Sequence, residues 1–155
     1  MRLRAGRDSD AAAFIALIAA CWAEYPGCVM DVDGEVPELL ALASYYGGQG
    51  GALWAAEEDG LLVGMVGTRP GAGGWELCKM YVDRGVRGGG LAQALLGSAE
   101  RFAVAAGAVG MRLWSDTRFE RAHRFYAKQG YARFGEPRAL HDKSNTVEFG
   151  FAKVF

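Results

Sequence analysis

A glycine-rich segment, residues 87–92, carries the clearest chemistry in this chain of 155 residues. Arg87 is followed by three glycines, and apolar residues at helical spacing begin at Leu91. The first turn of a helix exposes N–H groups that have no internal partner and carries a partial positive charge, so phosphates bind there readily. Arg87 adds a full charge, and Gly88 and Gly90 lack the side chains that would keep a phosphate from the backbone. The segment therefore predicts a site for a phosphate-bearing ligand.

Three phosphate-binding patterns can be compared with this segment. A dinucleotide fingerprint, G-x-G-x-x-G, would need glycine where Gln93 stands, and it would normally lie in the first strand–helix unit. A Walker A loop needs G-K-[ST], which the segment lacks. The pattern [QR]-x-x-G-x-[GA] is met by Arg87, Gly90 and Ala92.

The elements that must position this segment follow a mixed α/β pattern. Periodicity and turn signals predict strands at residues 2–5, 53–57, 61–68, 75–82, 109–115, 131–134 and 146–154, and helices at residues 14–25, 36–46, 91–106 and 119–129. The strand over 75–82, the helix from Leu91 and the strand over 109–115 form a crossover between parallel strands, which places the helix start beside the end of the first strand. One domain is expected over residues 1–155, with helices packed on a mixed sheet.

The chain resembles the GNAT superfamily of acetyl-CoA-dependent N-acetyltransferases in two places. One is the pattern at Arg87, Gly90 and Ala92 with its flanks at residues 80–83 and 91–96, and the other is the segment A-x-x-F-Y-x-x-x-G-Y at residues 122–131. The resemblance covers essentially the whole chain, because the order of elements is also that of the family. It implies a three-layer α/β fold with a mostly antiparallel sheet of about seven strands, one parallel pair splayed at a bulge, and about four helices. It also implies transfer of acetyl from acetyl-CoA to a primary amine by direct attack in a ternary complex.

The resemblance assigns backbone amides of the glycine segment to the pyrophosphate of coenzyme A and the preceding strand to its pantetheine arm. The cofactor-binding residues are then Met80, Tyr81, Val82, Arg87, Gly88, Gly89, Gly90, Leu91 and Ala92. One position departs from the family: Phe119 stands where many members have an asparagine that contacts the cofactor. That contact is not expected here.

Tyr126 matches the family tyrosine that is proposed as general acid for the departing thiolate. The chemistry is reasonable because a phenol with a pKa of about 10 stays protonated at neutral pH. The alternative is an aromatic packing residue beside Phe119 and Ala122 on one helical face.

Glu76 is the candidate general base, since some family members use a glutamate at this strand position to deprotonate the amine. By alternation Glu76, Cys78 and Met80 share one face of the strand, and the alternative is a solvated carboxylate. Three other candidates are weaker. His123 is expected on the helix surface, His141 has no assigned role, and Cys78 is expected to be a small buried hydrophobe.

The resemblance places acceptor specificity in the first two helices with their loop and in the loop before the last strand. The first loop, residues 24–35, holds Glu24, Asp31, Asp33 and Glu35 near two aromatic residues. Carboxylates and aromatic rings suit a cationic amine, so a small-molecule amine acceptor is expected. The sequence does not identify that amine.

Composition limits the other classes of function. A net charge of −1 gives no general attraction to nucleic acid, and no run approaches 18 apolar residues, so neither nucleic acid nor a membrane is an expected partner. Three cysteines without a C-x-x-C pair and two histidines indicate a reducing cytoplasm and no metal. The first residues lack the apolar core of a signal peptide.

Two rival functions and the oligomeric state stay open at this stage. The chain could be a catalytically idle acyl-CoA-binding module or regulatory protein that has kept only the fold. It could also be a nucleotide-binding protein that uses the glycine segment for ATP or NAD. Family members are often dimers, and the last strand could pair across a homodimer interface.

Overall fold

One seven-stranded sheet runs through the structure, a computed structural model that describes residues 1–155. Its strands are β1 (Arg2–Ala5), β2 (Ala52–Glu58), β3 (Leu61–Gly71), β4 (Gly74–Val82), β5 (Gly110–Asp116), β6 (Ala132–Ala139) and β7 (Val147–Val154). They lie in the order β1-β2-β3-β4-β5-β7-β6, and all neighbours are antiparallel except β4 and β5. The expected mostly antiparallel sheet with one parallel pair is confirmed.

Five α-helices connect the strands, where about four were expected. They are α1 (Ala11–Trp22), α2 (Val32–Glu35), α3 (Leu42–Gly47), α4 (Leu91–Ala105) and α5 (Glu120–Lys128). The continuous helix predicted over 36–46 is wrong: a 3₁₀ turn at Pro37–Ala41 precedes α3, and Ala41 breaks the helix with a φ of −153° and a ψ of 54°. Pro37 disfavours helical geometry at the preceding Val36, which also lies outside the helical region. None of the five helices has the length and apolar character that crossing a membrane requires.

The two faces of the sheet carry separate hydrophobic cores. On one face, α1 and α3 pack Phe14 and Leu42 against Met65 of β3. On the other face, Leu95 of α4 packs in the same core as Leu113 of β5. The result is the expected three-layer fold, with helices on both sides of one sheet.

The parallel strands β4 and β5 stay together for a short distance only. Trp75 pairs with Met111 and Glu76 with Arg112, and no further pairing joins the two strands. Just beyond this point the register between β3 and β4 shifts, and Lys79 adopts a positive φ of 50°. A bulge of this kind bends the strand that contains it. The splay of the parallel pair at a bulge, expected from the family resemblance, is therefore confirmed.

The bulge also changes which side chains of β4 share a face. Cys78 and Tyr81 pack toward the core of α1 and α3, whereas Met80 packs toward the core of α4. The prediction that Cys78 and Met80 lie on one face is therefore wrong. It assumed strict alternation, and the extra residue at Lys79 breaks that alternation.

Candidate active site

Two cavities meet where β4 and β5 part. The large cavity, about 490 Å³, lies between the end of β4, the glycine segment, the start of α4 and α5. The small cavity, about 210 Å³, lies between the splayed strands and reaches the loop before β7. Five residues line both cavities, namely Met80, Tyr81, Phe119, Ala122 and Tyr126. These five residues therefore form a common boundary of the two cavities.

The glycine segment opens its backbone toward the large cavity. Gly88 and Gly90 have φ values of +86° and +90°, a region that side chains other than glycine's rarely adopt, and a Cβ on either would meet no atom within 4 Å. The N–H groups of Gly88, Gly89 and Gly90 donate to no backbone acceptor. Gly90 precedes the first turn of α4, where Leu91 and Ala92 also line the cavity. Unpaired amides around open space fit a pyrophosphate.

Basic side chains surround the same cavity. Arg121, Arg124 and Lys128 of α5 line it together with Arg87. The Arg87 guanidinium is already paired: it donates two hydrogen bonds of 2.7 Å to the Glu24 carboxylate, and its Nε donates to the Val82 carbonyl at 3.2 Å. The same ion pair lowers the pKa of Glu24. The charges free to meet a phosphate therefore come from α5, while Arg87 ties the glycine segment to the turn after α1 and to β4.

The edge of β4 that faces β5 has no strand partner beyond Glu76. Met80, Tyr81 and Val82 lie on this unpaired stretch, which borders the large cavity. An extended ligand can hydrogen-bond to such an edge as an added strand does. The structure thus brings the predicted strand residues and the glycine segment to one cavity. Gly89 is the one predicted cofactor residue that does not line it.

Tyr126 lies at the junction of the two cavities. The residue is 7% exposed, and its ring packs near those of Phe151 and Tyr131 at centroid distances of 5.9 and 6.0 Å. Its hydroxyl has no hydrogen-bond partner, although every fully buried side-chain polar atom has one, so the hydroxyl keeps an opening to the cavities. Burial, with a smaller contribution from Tyr81, raises the pKa of Tyr126. The group is therefore a protonated phenol with a free donor.

The small cavity combines apolar walls with polar groups that the sequence analysis did not select. The polar groups that line it from β5, β7 and the loop between β6 and β7 are Ser115, Asp116, Asp142, Ser144, Thr146 and Glu148. Asp116 accepts hydrogen bonds from Arg118, with the Nη2–Oδ2 distance at 2.8 Å. The Asp142 carboxylate accepts bonds of 2.7 Å from the N–H and the hydroxyl of Thr146. These pairings fix the side chains around the cavity.

Glu148 is the carboxylate of the small cavity that the sequence could have indicated. It is a charged residue within the otherwise largely apolar strand β7. One oxygen, Oε1, lies 2.9 Å from both Nε and Nη2 of Arg138, and the other oxygen has no partner. Burial raises the pKa of Glu148, the carboxylates of Asp116 and Glu76 add to that effect, and Arg138 opposes it.

Glu76, the base predicted from the family resemblance, does not line either cavity. It lies on the part of β4 that still pairs with β5, with its Oε1 3.9 Å from Nη2 of Arg69. The structure therefore separates Glu76 from Tyr126, which it was expected to accompany.

The remaining candidates occupy different environments. His123 is half-buried, against the expectation of a surface residue: its Nε2 lies 2.9 Å from the Asp116 carbonyl oxygen, and burial lowers its pKa. His141 is exposed and lines neither cavity. Cys78 lines the small cavity, and burial raises the pKa of its thiol to about 12. No group of three or more His, Cys, Asp or Glu side chains is arranged to hold a metal ion.

The loop over residues 24–35 is bound to the loop before β7. Asp31 forms an ion pair with Lys143, and the Lys143 N–H donates to Glu35 at 2.9 Å. The Ser144 hydroxyl accepts from the N–H of Val29 at 2.8 Å. The carboxylates expected to face a cationic acceptor are thus largely engaged within the chain, and those that line the small cavity come from β5, β7 and the loop between β6 and β7.

The fold is that of a known acetyltransferase family. The family model for the acetyltransferase (GNAT) family matches residues 14–131, and the chain belongs to this family. Among curated proteins none matches the sequence.

Solved structures of the family are similar in fold at low sequence identity. A GNAT acetyltransferase from Staphylococcus aureus Mu50 is 21% identical, with a TM-score of 0.84 over 99% of this chain and 98% of that one. An acetyltransferase from Streptococcus agalactiae 2603 is 18% identical, with the same TM-score and the same coverage. The PaiA N-acetyltransferase of Thermoplasma acidophilum, solved in complex with coenzyme A, is 18% identical, with a TM-score of 0.76 over 99% and 98% of the two chains.

Proposed function

We propose that this protein is an N-acetyltransferase that moves the acetyl group of acetyl-CoA to a primary amine of a small molecule, by direct attack in a ternary complex. The observation that supports this most is the position of Tyr126. Its free hydroxyl lies where a cavity suited to the cofactor meets a smaller one suited to an acceptor. Both substrates would reach the same proton donor.

The residues of the large cavity would hold acetyl-CoA, which supplies an activated thioester carbonyl when bound. The amides of residues 88–92 would bind the pyrophosphate, and the unpaired edge of β4 at residues 80–82 would bind the pantetheine arm. Backbone N–H groups of that edge that point at the carbonyl would stabilise the oxyanion of the transition state. The Tyr126 hydroxyl would give its proton to the departing thiolate.

The small cavity would hold the acceptor. A volume of about 210 Å³ favours a small amine or the end of a chain over a bulky rigid molecule. Its carboxylates favour an acceptor that arrives as an ammonium ion, and its walls, including Trp22, Trp114 and Leu140, favour an apolar carbon skeleton. The three cysteines are unpaired, which agrees with a reducing compartment such as the cytoplasm.

The test measures release of free thiol from acetyl-CoA with a panel of amines. The panel holds phenethylamine, spermidine, glycinamide, L-methionine amide and a peptide with N-terminal alanine, and mass spectrometry identifies the acetylated product. We expect thiol release with at least one small amine and a mass increase of one acetyl group. Binding of CoA without thiol release from any amine would instead support an idle acyl-CoA-binding module. Thermal stabilisation by ATP or NAD and not by CoA would support a nucleotide-binding protein.

A further inference from the structure

Glu148 combines one anchored oxygen with one free oxygen inside the small cavity. Arg138 binds Oε1 through Nε and Nη2, both at 2.9 Å, and the guanidinium lies over the ring of Trp114 at 4.0 Å. The carboxylate cannot rotate without breaking these bonds. Oε2 has no hydrogen-bond partner and is not fully buried, and Glu148, whose side chain is 16% exposed, lines the small cavity.

We propose that Glu148 is the general base of this enzyme and takes the proton from the acceptor's ammonium group. The proposal rests on the N-acetyltransferase function proposed above. It replaces Glu76, which lies outside both cavities, with a carboxylate that lines the same cavity as Tyr126.

The surroundings of Glu148 raise its affinity for a proton. Arg138 of β6 pairs with Glu148, and Glu76 acts on it electrostatically from outside the cavity. The charged and titratable groups that line the small cavity together with Glu148 are Cys28, Cys78, Lys79, Tyr81, Asp116, Tyr126 and Asp142. Two of the carboxylates, Asp116 and Asp142, are hydrogen-bonded to Arg118 and Thr146. Burial and the neighbouring negative charges make proton binding easier than on an exposed glutamate, while the ion pair with Arg138 opposes that effect.

In the proposed step the acceptor's nitrogen gives up two protons, one to Glu148 and one to Tyr126. The acceptor's ammonium loses one proton to Oε2 of Glu148, and the neutral nitrogen forms a bond to the thioester carbon. The carbon–sulfur bond breaks as the thiolate takes the proton of Tyr126, and the second proton of the nitrogen restores the tyrosine. Glu148 then releases its proton to water. The net reaction converts an ammonium ion and acetyl-CoA to an amide, free CoA and one proton.

The experiment compares Glu148→Gln with Glu136→Gln, which removes the same charge from an exposed position on the neighbouring strand β6. The substrate is the panel amine with the highest kcat/KM. We expect Glu148→Gln to lower kcat about 100-fold or more, in the range of a lost general base. The wild-type acid limb of the pH profile should disappear, and the rate should rise only toward the pKa of the amine, about 10 for an alkylamine. Glu136→Gln should keep the wild-type profile.

Three further measurements separate a base from a group that only binds the acceptor. Glu148→Asp should keep the acid limb at a reduced rate, which also covers the case in which Glu148→Gln fails to fold. Arg138→Gln should move the acid limb to higher pH, because a cation that lowers the pKa of Glu148 is removed. Glycinamide, a less basic amine, should lose less activity in Glu148→Gln than phenethylamine does.

Several results would overturn the proposal. An unchanged acid limb in Glu148→Gln, or a rise in KM with kcat within about 3-fold of the wild type, would assign Glu148 to binding alone. Loss of the acid limb of the pH profile in Glu76→Gln but not in Glu148→Gln would assign the role of general base to Glu76. Absence of thiol release by the wild type with every amine would overturn the proposed function, and this inference with it. A wild-type kcat with an unchanged acid limb in Glu148→Gln would overturn the inference alone.

Discussion

Replacing Tyr126 with phenylalanine should reduce turnover without reducing stability. The Tyr126 hydroxyl has no hydrogen-bond partner, so its removal leaves no polar group unpaired and keeps the ring against Phe151 and Tyr131. We expect the free energy of unfolding to change by less than the roughly 1 kcal/mol that a typical hydrogen bond contributes. We expect kcat to fall ten-fold or more, which is at least about 1.4 kcal/mol of the activation barrier.

The matched control is the same substitution at a partnered tyrosine. Tyr131 is 4% exposed, lines neither cavity, and donates its hydroxyl to Oε2 of Glu100 at 2.9 Å. Tyr131→Phe should therefore lose about 1 kcal/mol of stability and keep its kcat. Thiol release gives kcat, denaturant unfolding gives the stability, and calorimetry with CoA shows whether cofactor binding survives. If Tyr126→Phe turned over at the wild-type rate, or lost stability as Tyr131→Phe does, the assignment of a free proton donor would be wrong.

Three other predictions concern the cofactor cavity, the core and pH. Gly88→Ala should weaken CoA binding at least ten-fold, because its Cβ would lie in the open space of the large cavity. The control is Gly60→Ala, at a similar φ of +78° in the β2–β3 turn, which should carry the same backbone strain and bind CoA normally. Calorimetry measures CoA binding by both variants. Leu95→Ala should cost about 2–5 kcal/mol in denaturant unfolding, since Leu95 is fully buried in the core under α4. Burial lowers the pKa of His123, so the unfolded chain binds a proton more readily than the folded protein does. The free energy of unfolding should therefore be highest above the unfolded pKa of about 6.5 and fall as pH drops below that value. The unfolding midpoint of His123→Gln should vary less between pH 7.5 and pH 5.5 than that of the wild type, and equal variation would exclude His123 as the source.

Local sequence signals predicted well which residues lie together around the large cavity. Residues 87–92 form a helix start with positive-φ glycines, and Tyr126 lies on the helix that the family signature predicts. The lining of the small cavity was predicted poorly. Glu148 is 32 residues from Asp116, and only the pairing of β5 with β7 sets them opposite each other. The loop over 24–35 was predicted to face the acceptor because of its carboxylates. Two of them form ion pairs within the chain instead, Glu24 with Arg87 and Asp31 with Lys143.

The sequence by itself determined the order of elements, the glycine segment and the position of Tyr126, because each depends on neighbours within a few residues. Only the tertiary structure decided which face Met80 takes, which carboxylates line the small cavity and how far β4 and β5 stay paired. The physical reason is the bulge at Lys79, which changes alternation along β4 where the parallel strands part. Strand register and ion pairs between distant residues then determine which carboxylates line the small cavity. Both depend on the whole sheet and not on any local run of residues.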